Sequence, residues 1–147
     1  MGFLVKLDTN GTNPIFLEDL IKKKLVDYVA MDIKAPLTEK DYNELNGNCD
    51  LLDKVRESIR IIMNSGIDYE FRTTLVPGLH NEKSVESIAA HIKGAKKYAV
   101  QTFMVPRQEG KLMDPKFGEI RSFTKEEMLK FKEIAEKYVK KVVERGV

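Results

Sequence analysis

The sequence contains a single cysteine, Cys49, in 147 residues. One thiol forms no disulfide within the chain, which points to a reducing, cytoplasmic compartment. It also excludes an iron–sulfur site built from this chain's thiolates alone, because such clusters take several. An excess of charge of one sign is missing as well: 25 basic residues face 23 acidic ones, for a net charge of +2. Nucleic-acid binding draws on clustered excess positive charge to meet the phosphates, so no nucleic-acid partner is expected. No apolar run approaches the roughly 20 residues that span a bilayer. Met1-Gly2-Phe3-Leu4-Val5 gives way to Lys6 and Asp8, so no secretory leader and no membrane association are expected. Internal repeats and low-complexity tracts are absent too.

What is present suits one globular domain over residues 1–147. Hydrophobic residues make up 42% and charged residues 33%, enough to build a core and far from the composition of a disordered chain. Along the chain, strand and helix signals alternate. Phe3 to Asp8 is a short apolar run closed by the turn signal Thr9-Asn10-Gly11. Asn13-Pro14 supplies an N-cap and a first helical residue for a helix to about Lys24. Asp27 to Lys34 reads as a second strand, stopped by Pro36. A loop follows, then a helix from about Leu51 to Asn64, ended by Gly66. Ile67 to Val76 is a third strand stopped by Pro77-Gly78, Glu82 to Ile92 a helix, and Tyr98 to Met104 a fourth strand. About 20 residues of loop then precede a helix opened by the capping box of Thr124 and Glu127. Val142, Val143 and Arg145 suit a short terminal strand. Alternation of this kind predicts an α/β fold, with parallel strands joined by right-handed crossovers.

Strand side chains alternate between two faces. On one face lie Lys6, Asp8 and Asn10, then Tyr28, Ala30, Asp32 and Lys34, then Glu70, Arg72 and Thr74, then Ala99, Gln101 and Phe103. On the other lie Val5 and Leu7, then Val29, Met31 and Ile33, then Tyr69, Phe71, Thr73 and Leu75, then Tyr98, Val100, Thr102 and Met104. The second face would carry the crossover helices. The first gathers polar groups toward the strand C-termini, where β/α barrels hold their sites. Antiparallel strands with one solvated face alternate in the same way, but helices between all the strands favour the parallel arrangement.

Several residues have two readings. Asp8-Thr9-Asn10-Gly11 is an ordinary turn or one wall of a site. Asp32 and Lys34 are a structural ion pair, or a clamp in which Lys34 meets a carboxylate and Asp32 an ammonium or hydroxyl. Arg72 either pairs with Glu70 or holds an anion or a peptide carbonyl. His80 and His91 are isolated, make no metal site, and suit the surface. Cys49 reads as incidental, and Met31, Met63, Met104 and Met128 as packing residues.

Three segments occur in order at strand ends: Lys6-Leu7-Asp8-Thr9-Asn10-Gly11, Tyr28-Val29-Ala30-Met31-Asp32-Ile33-Lys34-Ala35-Pro36, and Phe71-Arg72-Thr73-Thr74-Leu75-Val76-Pro77-Gly78-Leu79. Together they resemble the radical S-adenosylmethionine activating enzymes of glycyl-radical enzymes, above all the anaerobic ribonucleoside-triphosphate reductase type. Pyruvate formate-lyase activating enzyme is also similar, although its type has a His after the last of these strands, where this chain has Met104-Val105-Pro106-Arg107.

The resemblance implies a partial, six-stranded β/α barrel, of which this chain would be the C-terminal portion with about four strands. It implies a 4Fe–4S cluster on a Cys-x-x-x-Cys-x-x-Cys loop, and S-adenosylmethionine held in part by a Gly-Gly-Glu segment. The reduced cluster would cleave S-adenosylmethionine to a 5′-deoxyadenosyl radical, which takes a hydrogen atom from a glycine of the partner, a glycyl-radical enzyme. By the same resemblance Asp8 and Asn10 would lie beside S-adenosylmethionine. Asp32, Ile33 and Lys34 would contact its methionine or ribose. Arg72 would face the ligand or the substrate glycine loop, and Gln101, by its place in the last strand, would line the same site. Neither the three-cysteine loop nor Gly-Gly-Glu occurs in this sequence. The expectation is therefore a portion inactive alone: a fragment, a split-gene product that pairs with an N-terminal half carrying the cluster, or a decayed copy. A cluster-free module for S-adenosyl compounds or nucleosides and a lyase using Lys34 as a Schiff-base nucleophile are the other readings.

Overall fold

A computed structural model describes residues 2–46, 50–104 and 121–146. The elements run β1 (Lys6–Thr9), α1 (Pro14–Lys22), β2 (Tyr28–Asp32), α2 (Glu39–Asn46), α3 (Asp50–Asn64), β3 (Asp68–Leu75), α4 (Glu82–His91), β4 (Tyr98–Thr102), α5 (Lys125–Glu136) and β5 (Val142–Arg145). The strands form one parallel sheet in the order β1-β2-β3-β4-β5. The four strands read from the sequence are joined by the terminal strand read at Val142, Val143 and Arg145, which pairs with β4 and makes five among the described residues.

Sequential order has a consequence. Right-handed crossovers that always step in the same direction put every helix on the same face. Burial follows that rule: Val29, Met31, Ile33, Phe71, Leu75 and Val100 are all enclosed on the helix side. Leu17, Ile88, Met128 and Phe131 reach them from the helices. Among the described residues the opposite face carries no helix, and it holds the polar groups.

The helix ends obey local chemistry. The Asn13 side chain accepts the Phe16 N–H, with Pro14 in the first turn. Asn81 and Ser84 form a capping box at α4, and Thr124 and Glu127 form the expected one at α5. The helix α2 falls where the sequence reading has only a loop. Its start is set by Thr38, whose hydroxyl accepts the Asp41 N–H at 3.2 Å. Met31 and Met128 are buried and Met63 packs on the core, as read, but Met104 is exposed. The long stretch read as a loop after β4, and Cys49, lie outside the described residues.

One polar chain crosses the covered face. The Tyr98 hydroxyl donates to Thr73 Oγ1 at 2.8 Å, and that hydroxyl donates to the Ile33 carbonyl at 2.8 Å. It ties the C-terminal ends of β2 and β3 to β4 and leaves both hydroxyls bonded, as buried polar groups require.

Candidate functional site

Arg72 organises the open face near the strand ends. Its Nε donates to Asp32 Oδ1 at 2.9 Å, and its Nη1 donates to Asp8 Oδ1. Lys34 Nζ stands 3.0 Å from Asp32 Oδ2, and Lys6 Nζ 3.5 Å from Asp8 Oδ1. The result is a charged row across three strands, Lys6–Asp8–Arg72–Asp32–Lys34, with three cations against two carboxylates. Register explains the reach: Asp8 is paired with Ala30, and Asp32 with Arg72. The small Ala30 leaves room for a guanidinium to lie across β2. Burial works against the Arg72 charge, but Asp32 and Asp8 outweigh it and hold the group above its ordinary value.

Magnitudes separate the two pairs. The Arg72 side chain is 16% exposed, whereas Lys34 is 57% exposed. An exposed lysine–carboxylate pair contributes about 0–1 kcal/mol. Lys34 is therefore weakly held by Asp32 and free to engage another anion, while Arg72 is fixed between two carboxylates.

Asp8, Thr9, Asn10, Asp32 and Arg72 line an open depression of about 420 Å³. Asn10 Oδ1 accepts from the Thr12 N–H at 3.1 Å and the Thr12 hydroxyl at 2.8 Å, which shapes the turn after β1. Gly11 is pinned from behind, its carbonyl accepting from Ser58 Oγ of α3 at 2.8 Å.

Of the residues singled out in the sequence, Asp8, Asn10, Asp32 and Arg72 share this depression, with Lys34 joined through Asp32. Ile33 is elsewhere: its side chain is enclosed in the core, its N–H bonds the Arg72 carbonyl and its carbonyl accepts from Thr73. Gln101 shares the open face but is registered with Thr74 and Arg145, away from the depression.

Two sequence readings are corrected. Arg72 does not pair with Glu70: that carboxylate is held by Arg145 at 3.0 and 2.8 Å and by Lys97 at 2.7 Å. His80 is not on the surface. It is 7% exposed, with Nδ1 accepting the Val76 N–H at 3.1 Å and Nε2 at 3.0 Å from the Lys34 carbonyl. His91 is exposed, as read.

Among the described residues, no three of His, Cys, Asp and Glu converge as a metal site. No helix among them is long and apolar enough to cross a membrane.

Parallel strands in sequential order, with helices between them and a charged row toward their C-terminal ends, define an α/β fold. No protein-family profile matches the chain. A protein of Methanocaldococcus jannaschii named "Putative glycyl-radical enzyme activating enzyme" is 36% identical over 152 residues, which cover 99% of this chain and 60% of that protein. The chain thus spans about 60% of that relative's length. The name of that relative agrees with the family that the three strand-end segments resemble.

Proposed function

We propose that this chain is the C-terminal, ligand-holding portion of a radical S-adenosylmethionine activating enzyme whose partner is a glycyl-radical enzyme. The observation that carries this reading is the row Asp8–Arg72–Asp32–Lys34 on the sheet face that no helix covers among the described residues. The methionyl end of S-adenosylmethionine carries an ammonium and a carboxylate close together. Asp32 meets the ammonium or a ribose hydroxyl, and the loosely held Lys34 meets the carboxylate. Asp8 and Asn10 complete the wall beside them. Arg72 keeps the two carboxylates apart and aimed. Gln101 lies further along the same face, outside the depression.

The 4Fe–4S cluster that such enzymes use supplies the electron for cleaving S-adenosylmethionine. The residues here do not fit it: the sequence has one cysteine, and no ligand group converges among the described residues. In this reading an N-terminal portion carries it, and the chain alone is inactive. The surface beside β1 suits such a portion. Leu4 is 87% exposed, Phe3, Ile15 and Phe16 are exposed in the segments before and after β1, and the outer edge of β1 is unpaired among the described residues. A Schiff-base lyase is disfavoured, because Lys34 is exposed and ion-paired rather than desolvated.

The test is to co-express the chain with the remaining portion of the M. jannaschii relative and reconstitute the complex anaerobically. S-adenosylmethionine binding is then measured by calorimetry, for the parent and for Asp32→Asn and Lys34→Met. Each variant is expected to lose about 2 kcal/mol, roughly thirtyfold in affinity. Binding without the second portion would favour a cluster-free module for S-adenosyl compounds. Folded variants that bind as tightly as the parent would make the pair a structural bridge.

A further inference from the structure

Lys34 lies two residues beyond the end of β2, where the sheet no longer provides partners for its main chain. Backbone groups there must find water or side chains. The carbonyl finds a buried side chain. The Lys34 carbonyl is held by His80 Nε2 at 3.0 Å, and His80 comes from the turn between β3 and α4.

The imidazole is fully determined. Its Nδ1 accepts the Val76 N–H, so the neutral ring carries its proton on Nε2 and donates it to Lys34. The His80 N–H returns to the Val76 carbonyl at 2.9 Å, and Pro77 and His80 form an isolated bridge. The ring therefore transmits the position of the β3 end to the β2 end. The main chain of Lys34 is held at its carbonyl while its side chain stays 57% exposed. A buried polar side chain serving the backbone of an exposed lysine fixes the base from which that side chain extends.

We propose that His80 is a positioning residue for Lys34, setting its ammonium at the rim of the ligand depression. The assignment rests on Lys34 being a ligand residue, and its test is arranged so that each claim can fail separately.

Two variants separate positioning from plain stability. His80→Gln keeps a donor where Nε2 stood but loses the acceptor for Val76. His80→Asn keeps the acceptor and loses the donor to Lys34. In the two-part complex, S-adenosylmethionine affinity is expected to be near parental in His80→Gln and about tenfold weaker in His80→Asn. Melting temperatures should fall to similar extents in the two variants, since each loses one hydrogen bond. Affinity that tracks melting temperature, or equal affinity in His80→Gln and His80→Asn, overturns the proposal. If the parental complex binds no S-adenosylmethionine, the functional reading falls instead. Hydrogen exchange of the Lys34 amide in the 147-residue chain then decides the positioning claim. Protection retained in His80→Gln but lost in His80→Asn upholds it, and equal protection in parent and variants overturns it.

Discussion

Arg145, the last residue of β5, holds both carboxylate oxygens of Glu70 on β3, at 3.0 and 2.8 Å, across the whole width of β4. The β4 residue between them on that face is Ala99, which is registered with Arg72 and Val143 and is fully buried. Arg72 does the same across β2, reaching Asp8 past Ala30, which is also fully buried. The uncovered face is thus roofed by long charged side chains laid flat over alanines.

The first expectation concerns Glu70, which is 2% exposed. Burial alone would raise its pKa, but Arg145 and Lys97 outweigh burial and bring it down to about 2 from the usual 4.5. A carboxyl whose folded pKa is depressed contributes stability above its unfolded pKa and loses it as pH falls toward the folded value. The window is therefore pH 4.5 down to about 2. The full shift corresponds to about 3 kcal/mol, and solvent around Arg145 and Lys97 reduces this to about 2 kcal/mol. Glu70→Gln should lose about that much at pH 7 and show a shallower acid transition. Urea unfolding at pH 7 and pH 3 measures both, and an unchanged difference between the two pH values would contradict the assignment.

A second expectation concerns the apolar end at β1. An unpaired parallel edge flanked by Phe3, Leu4, Ile15 and Phe16 favours association. The chain alone should therefore elute above its monomer mass. Leu4→Lys combined with Phe16→Glu should shift it toward monomer in sizing chromatography with light scattering. The same pair should abolish capture of the second portion. A parent that is already monomeric at high concentration would remove this argument for a docking surface.

Much of this was legible in the chain, and the exceptions have physical causes. Strict alternation at Val29, Met31 and Ile33 against Ala30, Asp32 and Lys34 assigns β2 its two faces without any structure. The partners of the charged residues were not legible, because sequence proximity suggested Glu70 for Arg72. Register decides otherwise, setting Asp32 directly beside Arg72 and Glu70 beside Ala30. His80 reads as a surface residue because nothing local shows that its turn folds back onto Lys34. The helix α2 lacks an apolar stripe, although Thr38 followed three residues later by Asp41 is a capping signature that marks its start. Ile33 sits inside a recognisable segment, yet the period-two rule already turns it away from the open face.

The third expectation concerns Gly11. Its φ is +74°, and a Cβ there would stand 2.1 Å from Met31 Cε and 3.0 Å from Met31 Sδ. Met31 is fully buried, so its side chain has little space to retreat into. Gly11→Ala should cost about 1 kcal/mol from the left-handed backbone and about 1–2 kcal/mol from overpacking. Pairing it with Met31→Val should relieve the overpacking and leave the backbone cost. Denaturant midpoints of the two singles and the double separate these parts. Additive effects would show that Met31 is not the obstacle.

The last expectation tests the alanine floor. At Ala99 the guanidinium of Arg145 needs an unobstructed path over β4 to Glu70. Leucine at this position would raise a branched side chain into that path. Glu70 would then keep Lys97, at 2.7 Å, and lose its bidentate partner. Overpacking costs about 1–3 kcal/mol, and an under-compensated buried carboxylate adds to it. Ala99→Leu should therefore destabilise the chain by about 3 kcal/mol, while Ala99→Gly, which leaves the path open, should cost about 1 kcal/mol. The decisive measurement is the double variant. If Ala99→Leu acts by parting Arg145 from Glu70, adding Glu70→Gln should cost much less than it does in the parent, because the interaction is already broken. A cycle that closes additively would mean that Arg145 reaches Glu70 by another route, and the account of a small-residue floor would fail.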